Sequence, residues 1–257
     1  LIDQALQKQL PAGNLEAILA YLDADLVTLP INEQVNDSVW NYWQQQDYFV
    51  FGLLQGPFTL MLQSIGWQEL SYLIVKNPGK TRKIMQDFLQ KSFLIADRAL
   101  TAGCEGIILA DDLAGNRGML ISPAYLREHY FTLLTEFLDK LNSRDIPFVF
   151  HSDGNMLDIV PMLKAAGFWG IQCLQPSVGI TRDSFSNKLL KDWVFWGNFE
   201  FEGEDCIKSA DQVNRDIQEL RDNWSSVPGY MFGSSGGLYQ AIPLDIVKTA
   251  YETVERW

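Results

Sequence analysis

Short, nearly continuous apolar runs alternate along the chain with longer stretches in which apolar positions recur every three or four residues. Runs of the first kind are ADLVTL (24–29), YFVFGLL (48–54), EGIILAD (105–111), PFVFHSD (147–153), WGIQCLQ (169–175), WVFWGNF (193–199) and GYMFGSS (229–235). A strand covered on both faces reads this way, whereas a half-exposed strand alternates apolar with polar residues. Helical spacing runs from Asn77 to Leu100, Pro123 to Leu141, Met156 to Ala166, Ala210 to Asn223 and Leu244 to Arg256. Ser122 is placed to cap the second of these helices, and Pro123 suits its first position. Gly103 and Gly167 stand between helix and strand, where a C-terminal capping glycine belongs. This alternation predicts an α/β chain, specifically a distorted (β/α)8 TIM barrel. The alternative is an open doubly wound sheet, but no GxGxxG or GxxxxGK[ST] follows the first strand. No linker or low-complexity tract interrupts the pattern, so one domain over residues 1–257 is expected.

Composition narrows the function classes. The chain has 257 residues, 47% hydrophobic and 20% charged, which is globular rather than disordered. Lys plus Arg number 20 against 32 Asp plus Glu, a formal charge of −12. That field repels nucleic acid and anionic membrane surfaces, so neither is expected as a partner. No uninterrupted apolar run approaches the roughly 18 residues that cross a bilayer. The three cysteines, Cys104, Cys173 and Cys206, form no CxxC and no disulfide framework, which predicts a reducing, cytoplasmic setting. The first residues carry no basic segment followed by an apolar run, so no signal peptide is expected. The sequence begins at Leu1 rather than Met, and the natural chain is expected to carry further N-terminal residues.

In a barrel, chemistry belongs at the C-terminal ends of the strands. Those ends carry Gly56-Pro57-Phe58-Thr59, Asp111-Asp112, His151-Ser152-Asp153-Gly154, Gln175-Pro176, Gly197-Asn198 and Gly233-Ser234-Ser235-Gly236-Gly237. His151 and Asp153 are two residues apart, so on a strand they face one side and could hold a metal ion. The plainer alternative is a hydrogen-bonded pair shaping the loop before Gly154. Asp111 and Asp112 would face opposite sides of a strand. At most one of them points into the mouth, where it is a candidate general base, metal ligand or acceptor for a substrate N–H; the plainer alternative is that one Asp caps the following turn. Gln175, sharing a face with Cys173, and Asn198 can orient a ligand or tie their loops together. The Ser-Gly run 233–237 can bring backbone N–H groups to an anion or simply turn the chain. His129 falls inside the helix 123–141 and reads as a surface residue or one standing behind the site. The tryptophans read mostly as core, and no GxSxG supports a serine hydrolase.

Several of these segments together resemble the uroporphyrinogen decarboxylase superfamily, which includes cobalamin-linked methyltransferases. The matching pieces are GPFT (56–59), DDLAGNRGMLISP (111–123), HSDGN (151–155), LQPSVGI (174–180), WGNFE (196–200) and GSSGGLYQAIP (233–243), in the family's order and spacing. The resemblance implies a distorted TIM barrel. It implies either of two chemistries. One is methyl transfer to or from a corrinoid (cobalamin), with zinc activating a thiol and a corrinoid protein as partner. The other is cofactor-free decarboxylation of a porphyrinogen. The methyltransferase branch is the expected one, because this acidic chain has scattered arginines and no arginine-rich N-terminal segment to hold an octacarboxylate. On this reading Asp111, Asp112, His151 and Asp153 are the catalytic candidates. Gly56, Phe58, Gln175, Asn198 and Ser235 are the candidates for binding a small-molecule substrate, and a homo-oligomer is compatible. The departures are specific. The zinc enzymes' His-x-Cys reads His151-Ser152-Asp153 here, and their later cysteine position reads Gly236. A third expectation, a ligand-binding barrel without catalysis, follows from those losses.

Overall fold

The computed structural model describes residues 12–32, 37–141, 144–202, 206–238 and 241–255. Seven strands lie where the apolar runs predict them. They are β1 (Leu26–Pro30), β2 (Phe49–Gln55), β3 (Gly106–Ala110), β6 (Phe148–His151), β7 (Gly170–Gln172), β8 (Val194–Phe199) and β9 (Tyr230–Ser234). Two further strands, β4 (Ala114–Gly115) and β5 (Gly118–Met119), make a small antiparallel ladder of their own. The seven-stranded sheet has the order β1-β2-β3-β6-β7-β8-β9, the order of the chain itself. β2 runs parallel to β3, β3 to β6, and β8 to β9. A doubly wound sheet would reverse its strand order at a switch point, and this sheet has none. The fold class is α/β, with the strand order of a distorted (β/α)8 barrel.

Within the chain, contacts define two compact units. The first comprises residues 28–46 and 50–170, the second residues 1–27, 47–49 and 171–257. In the first unit β3 and β6 are buried on both faces. Ile107, Ile108, Leu109, Phe148 and Phe150 have no exposed surface, which is why these runs carry no polar alternation. The helices here are α2 (Asp37–Trp43), α3 (Pro57–Lys76), α4 (Pro78–Thr101), α5 (Pro123–Tyr125), α6 (Phe131–Leu141) and α7 (Val160–Ala166). Ser122 caps α5 by accepting from the Tyr125 N–H, and Gly167 closes α7 at φ 101°, both as expected. The helix over 123–141 is interrupted by a π turn at Leu126–Tyr130, and the one over 156–166 opens with a 3-10 turn at Leu157–Ile159.

The second unit holds α1 (Ala12–Leu22), α8 (Asn187–Asp192), α9 (Ala210–Trp224) and α10 (Leu244–Val254). Its core joins Phe199, Phe201, Val213, Ile217, Val247 and Ala250, with an aromatic stack of Trp224 on Tyr230 beside it. Four of the described helices fall outside the stretches marked by apolar spacing: α1, α2, α3 and α8. For α3 the reason is visible. Its apolar residues run round the whole circumference, and Gly66 at φ 74° breaks it into two segments, so no single stripe exists to read. No helix among the described residues is long and apolar enough to cross a membrane.

Candidate functional site

β3 ends at Ala110, so Asp111 and Asp112 lie just beyond the strand rather than alternating along it. Asp111 still joins the ladder, its N–H donating to the His151 carbonyl at 2.9 Å. Its side chain turns inward and is completely buried. There it caps α3 from a different element. Pro57, the first residue of that helix, has no N–H. The next two donors both go to Asp111, Phe58 N–H to Oδ2 at 3.1 Å and Thr59 N–H to Oδ1 at 2.6 Å. The Tyr130 hydroxyl donates a third bond to Oδ2 at 2.8 Å. Burial pushes the Asp111 carboxyl up to about 6, against the pull of these donors toward the ionised form. Gly56 makes the approach possible, since a Cβ there would lie 2.3 Å from the Asp111 Cβ and Cγ. Gly56 and Phe58 therefore belong to the anchorage of Asp111, and Phe58 is itself buried.

Asp112 points the other way, its side chain 51% exposed, and meets His151 and Asp153. His151 Nε2 lies 3.9 Å from Oδ1 of Asp112 and 3.9 Å from Oδ1 of Asp153. One ligand atom from each of the three residues falls within 4.8 Å of the others. A point equidistant from the three is then at most about 2.5 Å from each, close to the 2.0–2.2 Å of imidazole and carboxylate bonds to a divalent ion. The His side chain is 13% exposed and Asp153 58%, so the cluster opens to solvent on its carboxylate side. The loops are tied together beneath it. Asp153 N–H donates to Asp112 Oδ1 at 3.0 Å, Leu113 N–H to Ser152 Oγ at 3.1 Å, and Asn155 N–H to the Gly115 carbonyl at 3.0 Å. At Gly154, φ 81° and backbone atoms of Gly115 2.7 Å from any Cβ together leave room for glycine alone.

The donor set decides which metals suit the cluster. One imidazole nitrogen and two carboxylates fit a hard or borderline divalent ion held by nitrogen and oxygen. Zinc is within that range, but a thiolate-ligated zinc is not. Cys104 and Cys173 are buried, Cys206 is exposed, and none of them joins a metal-competent group among the described residues.

The remaining candidates lie in the second unit. β7 ends at Gln172, and Cys173 takes φ 72°, so the strand does not continue and Gln175 shares no strand face with it. Asn198 Nδ2 donates to the Leu174 carbonyl at 2.9 Å, and the Ser235 hydroxyl donates to the same oxygen at 3.2 Å. Both side chains are buried and brace that loop. Residue type alone does not mark Thr59, Tyr130 or Ser152. Thr59 stands in the GPFT segment, and Ser152 between the two candidate ligands, but Tyr130 reaches Asp111 from the π turn, which no spacing foretells.

The fold is that of an α/β-barrel protein, with an exposed His–carboxylate cluster following β3 and β6. Residues 40–257 match the uroporphyrinogen decarboxylase (URO-D) family, and the chain belongs to that family, a family of enzymes. No curated protein sequence matches the chain. Among solved structures it is similar to a methyltransferase from Methanosarcina mazei, with TM-score 0.69 and 18% identity over 96% of this chain and 67% of that one. It is also similar to AP endonuclease, family 2, from Brucella melitensis, with TM-score 0.55 and 11% identity over 91% of this chain and 90% of that one. At these identities the likeness shows the fold.

Proposed function

We propose that the chain is a methyltransferase-like enzyme of the uroporphyrinogen decarboxylase family that moves a methyl group to or from a corrinoid. A divalent metal would be held by Asp112, His151 and Asp153. The observation that carries this reading is the convergence of those three ligand atoms within 4.8 Å. A bound divalent ion would supply Lewis acidity, lowering the pKa of a small acceptor's nucleophilic group.

The chain's own residues do the rest. Asp112 and Asp153 concentrate negative charge where a cation or an acceptor proton is to be received. The Asp153 N–H to Asp112 bond fixes one carboxylate against the other's backbone. Asp111 is not available to substrate, because its carboxylate is buried and already accepts three bonds from the protein. That counts against the porphyrinogen reading in its Asp111 form and leaves Asp112 or Asp153 as the acidic partner within the cluster for a pyrrole N–H. The family match extends through both compact units, which supports treating residues 1–257 as one barrel domain. A corrinoid protein as methyl carrier, a small-molecule acceptor and a homo-oligomer are part of the proposal. So is a reducing, cytoplasmic setting, consistent with three free cysteines.

The test is anaerobic demethylation of free methylcobalamin in the presence of a small thiol, followed by the change in its visible spectrum. The proposal expects demethylation that depends on added divalent metal and is lost in His151→Ala. No demethylation by the metal-loaded protein, together with release of CO2 from a porphyrinogen, would replace the methyl-transfer reading by decarboxylation.

A further inference from the structure

Asp112 is an exposed side chain two residues past a strand end, a position where a carboxylate ordinarily turns freely. Two bonds restrain it. Its Oδ1 accepts the Asp153 N–H, and its own N–H donates to the Thr59 hydroxyl at 3.2 Å. The second bond comes from a rigid source. Thr59 is β-branched, with few side-chain rotamers open to it in a helix. Its backbone N–H is held by Asp111 at 2.6 Å, and Asp111 is held in turn by Tyr130. The hydroxyl therefore stands between two adjacent aspartates of opposite character, one buried and structural, one exposed and facing His151.

We propose that Thr59 is a positioning residue whose hydroxyl fixes the Asp112 backbone and so aims the Asp112 carboxylate into the cluster with His151 and Asp153. The path runs from Tyr130 through Asp111 and Thr59 to Asp112, and it makes the first turn of α3 part of the site although no α3 side chain is a ligand. The claim rests on the metal-site reading above and adds the residue that organises it. Groups hydrogen-bonded behind metal ligands commonly change metal affinity by about 10–100-fold when removed.

Two substitutions separate positioning from packing. Thr59→Val keeps the shape and removes the hydroxyl, while Thr59→Ser keeps the hydroxyl and removes a methyl. Co2+ is titrated into each purified full chain, with affinity and the visible ligand-field spectrum as readouts and urea unfolding as a check on folding. The expected result is at least about tenfold weaker Co2+ binding with an altered spectrum in Thr59→Val, and affinity within about twofold of wild type in Thr59→Ser. Wild-type affinity in Thr59→Val, or equal losses in both variants, overturns the proposal. If the wild type binds no Co2+, the metal reading fails by itself, and hydrogen exchange of the Asp112 amide in the metal-free chain decides the role of Thr59. Protection lost in the valine variant and kept in the serine variant supports it. Equal protection in all three chains refutes it.

Discussion

Replacing Tyr130 by Phe removes one hydroxyl from a fully enclosed site and leaves the ring, so the loss isolates one hydrogen bond to Asp111. Its size should depend on pH in a calculable way. Asp111 titrates near 6 in the folded chain and near 3.8 when unfolded, because burial disfavours its charge more than its three donors favour it. The folded state therefore holds this proton more tightly. The associated stability is fully present below about 3.8 and is lost as pH rises through about 6. A span of about two units corresponds to roughly 3 kcal/mol. Above pH 6 the Tyr130 hydroxyl donates to a carboxylate, a bond worth about 1.5–3 kcal/mol; at pH 5 it faces a neutral acid, worth about 0.5–1.5 kcal/mol. Tyr130→Phe should therefore lower unfolding free energy by about 1 kcal/mol more at pH 8 than at pH 5. It should also raise the Asp111 pKa in the folded chain further. The assay is urea unfolding at pH 5, 7 and 8, with a chelator present to exclude metal bound at Asp112. An equal loss at all three values, or a larger one at pH 5, would refute the reasoning.

Gly56→Ala should lower stability by about 2–3 kcal/mol, seen as a lower Tm, because its Cβ would meet the Asp111 side chain at 2.3 Å inside a packed region. Thiol labelling under native conditions should find one fast cysteine, Cys206, which is exposed. Cys104 should stay silent until unfolding, since burial pushes its thiol up to about 12 and leaves almost no thiolate. Rapid native labelling of Cys104 would contradict its burial.

The strands were legible because parallel strands covered on both sides need uninterrupted apolar runs, as in Ile107, Ile108 and Leu109. The helices were legible where one face is apolar, as over Ala210–Trp224, and illegible where they are not amphipathic, as over Pro57–Lys76. The β4–β5 ladder has no signature in the sequence because two-residue strands carry no period. Within the site, residue type and strand-end position picked out His151, Asp112 and Asp153. The same cues could not tell that Asp111 and Asp112 part company, one buried as a helix cap and one exposed as a candidate ligand. That division depends on Gly56 and Thr59 from one segment and Tyr130 from another, both distant in the chain from the two aspartates. Asn198 and Ser235 illustrate the converse. Amide and hydroxyl groups at strand ends look like ligand contacts, yet the Asn198 and Ser235 side chains both close on the Leu174 carbonyl.

The central claim is that Asp112, His151 and Asp153 hold a metal ion. It is tested most directly by elemental mass spectrometry of the untagged chain, purified without chelator and exposed to limiting divalent metal, in wild type and His151→Ala. The account predicts about one equivalent of zinc or another divalent ion per chain in the wild type. It predicts loss of that ion in His151→Ala with cooperative unfolding retained. Metal absent from both proteins, or retained undiminished in the variant, would contradict it.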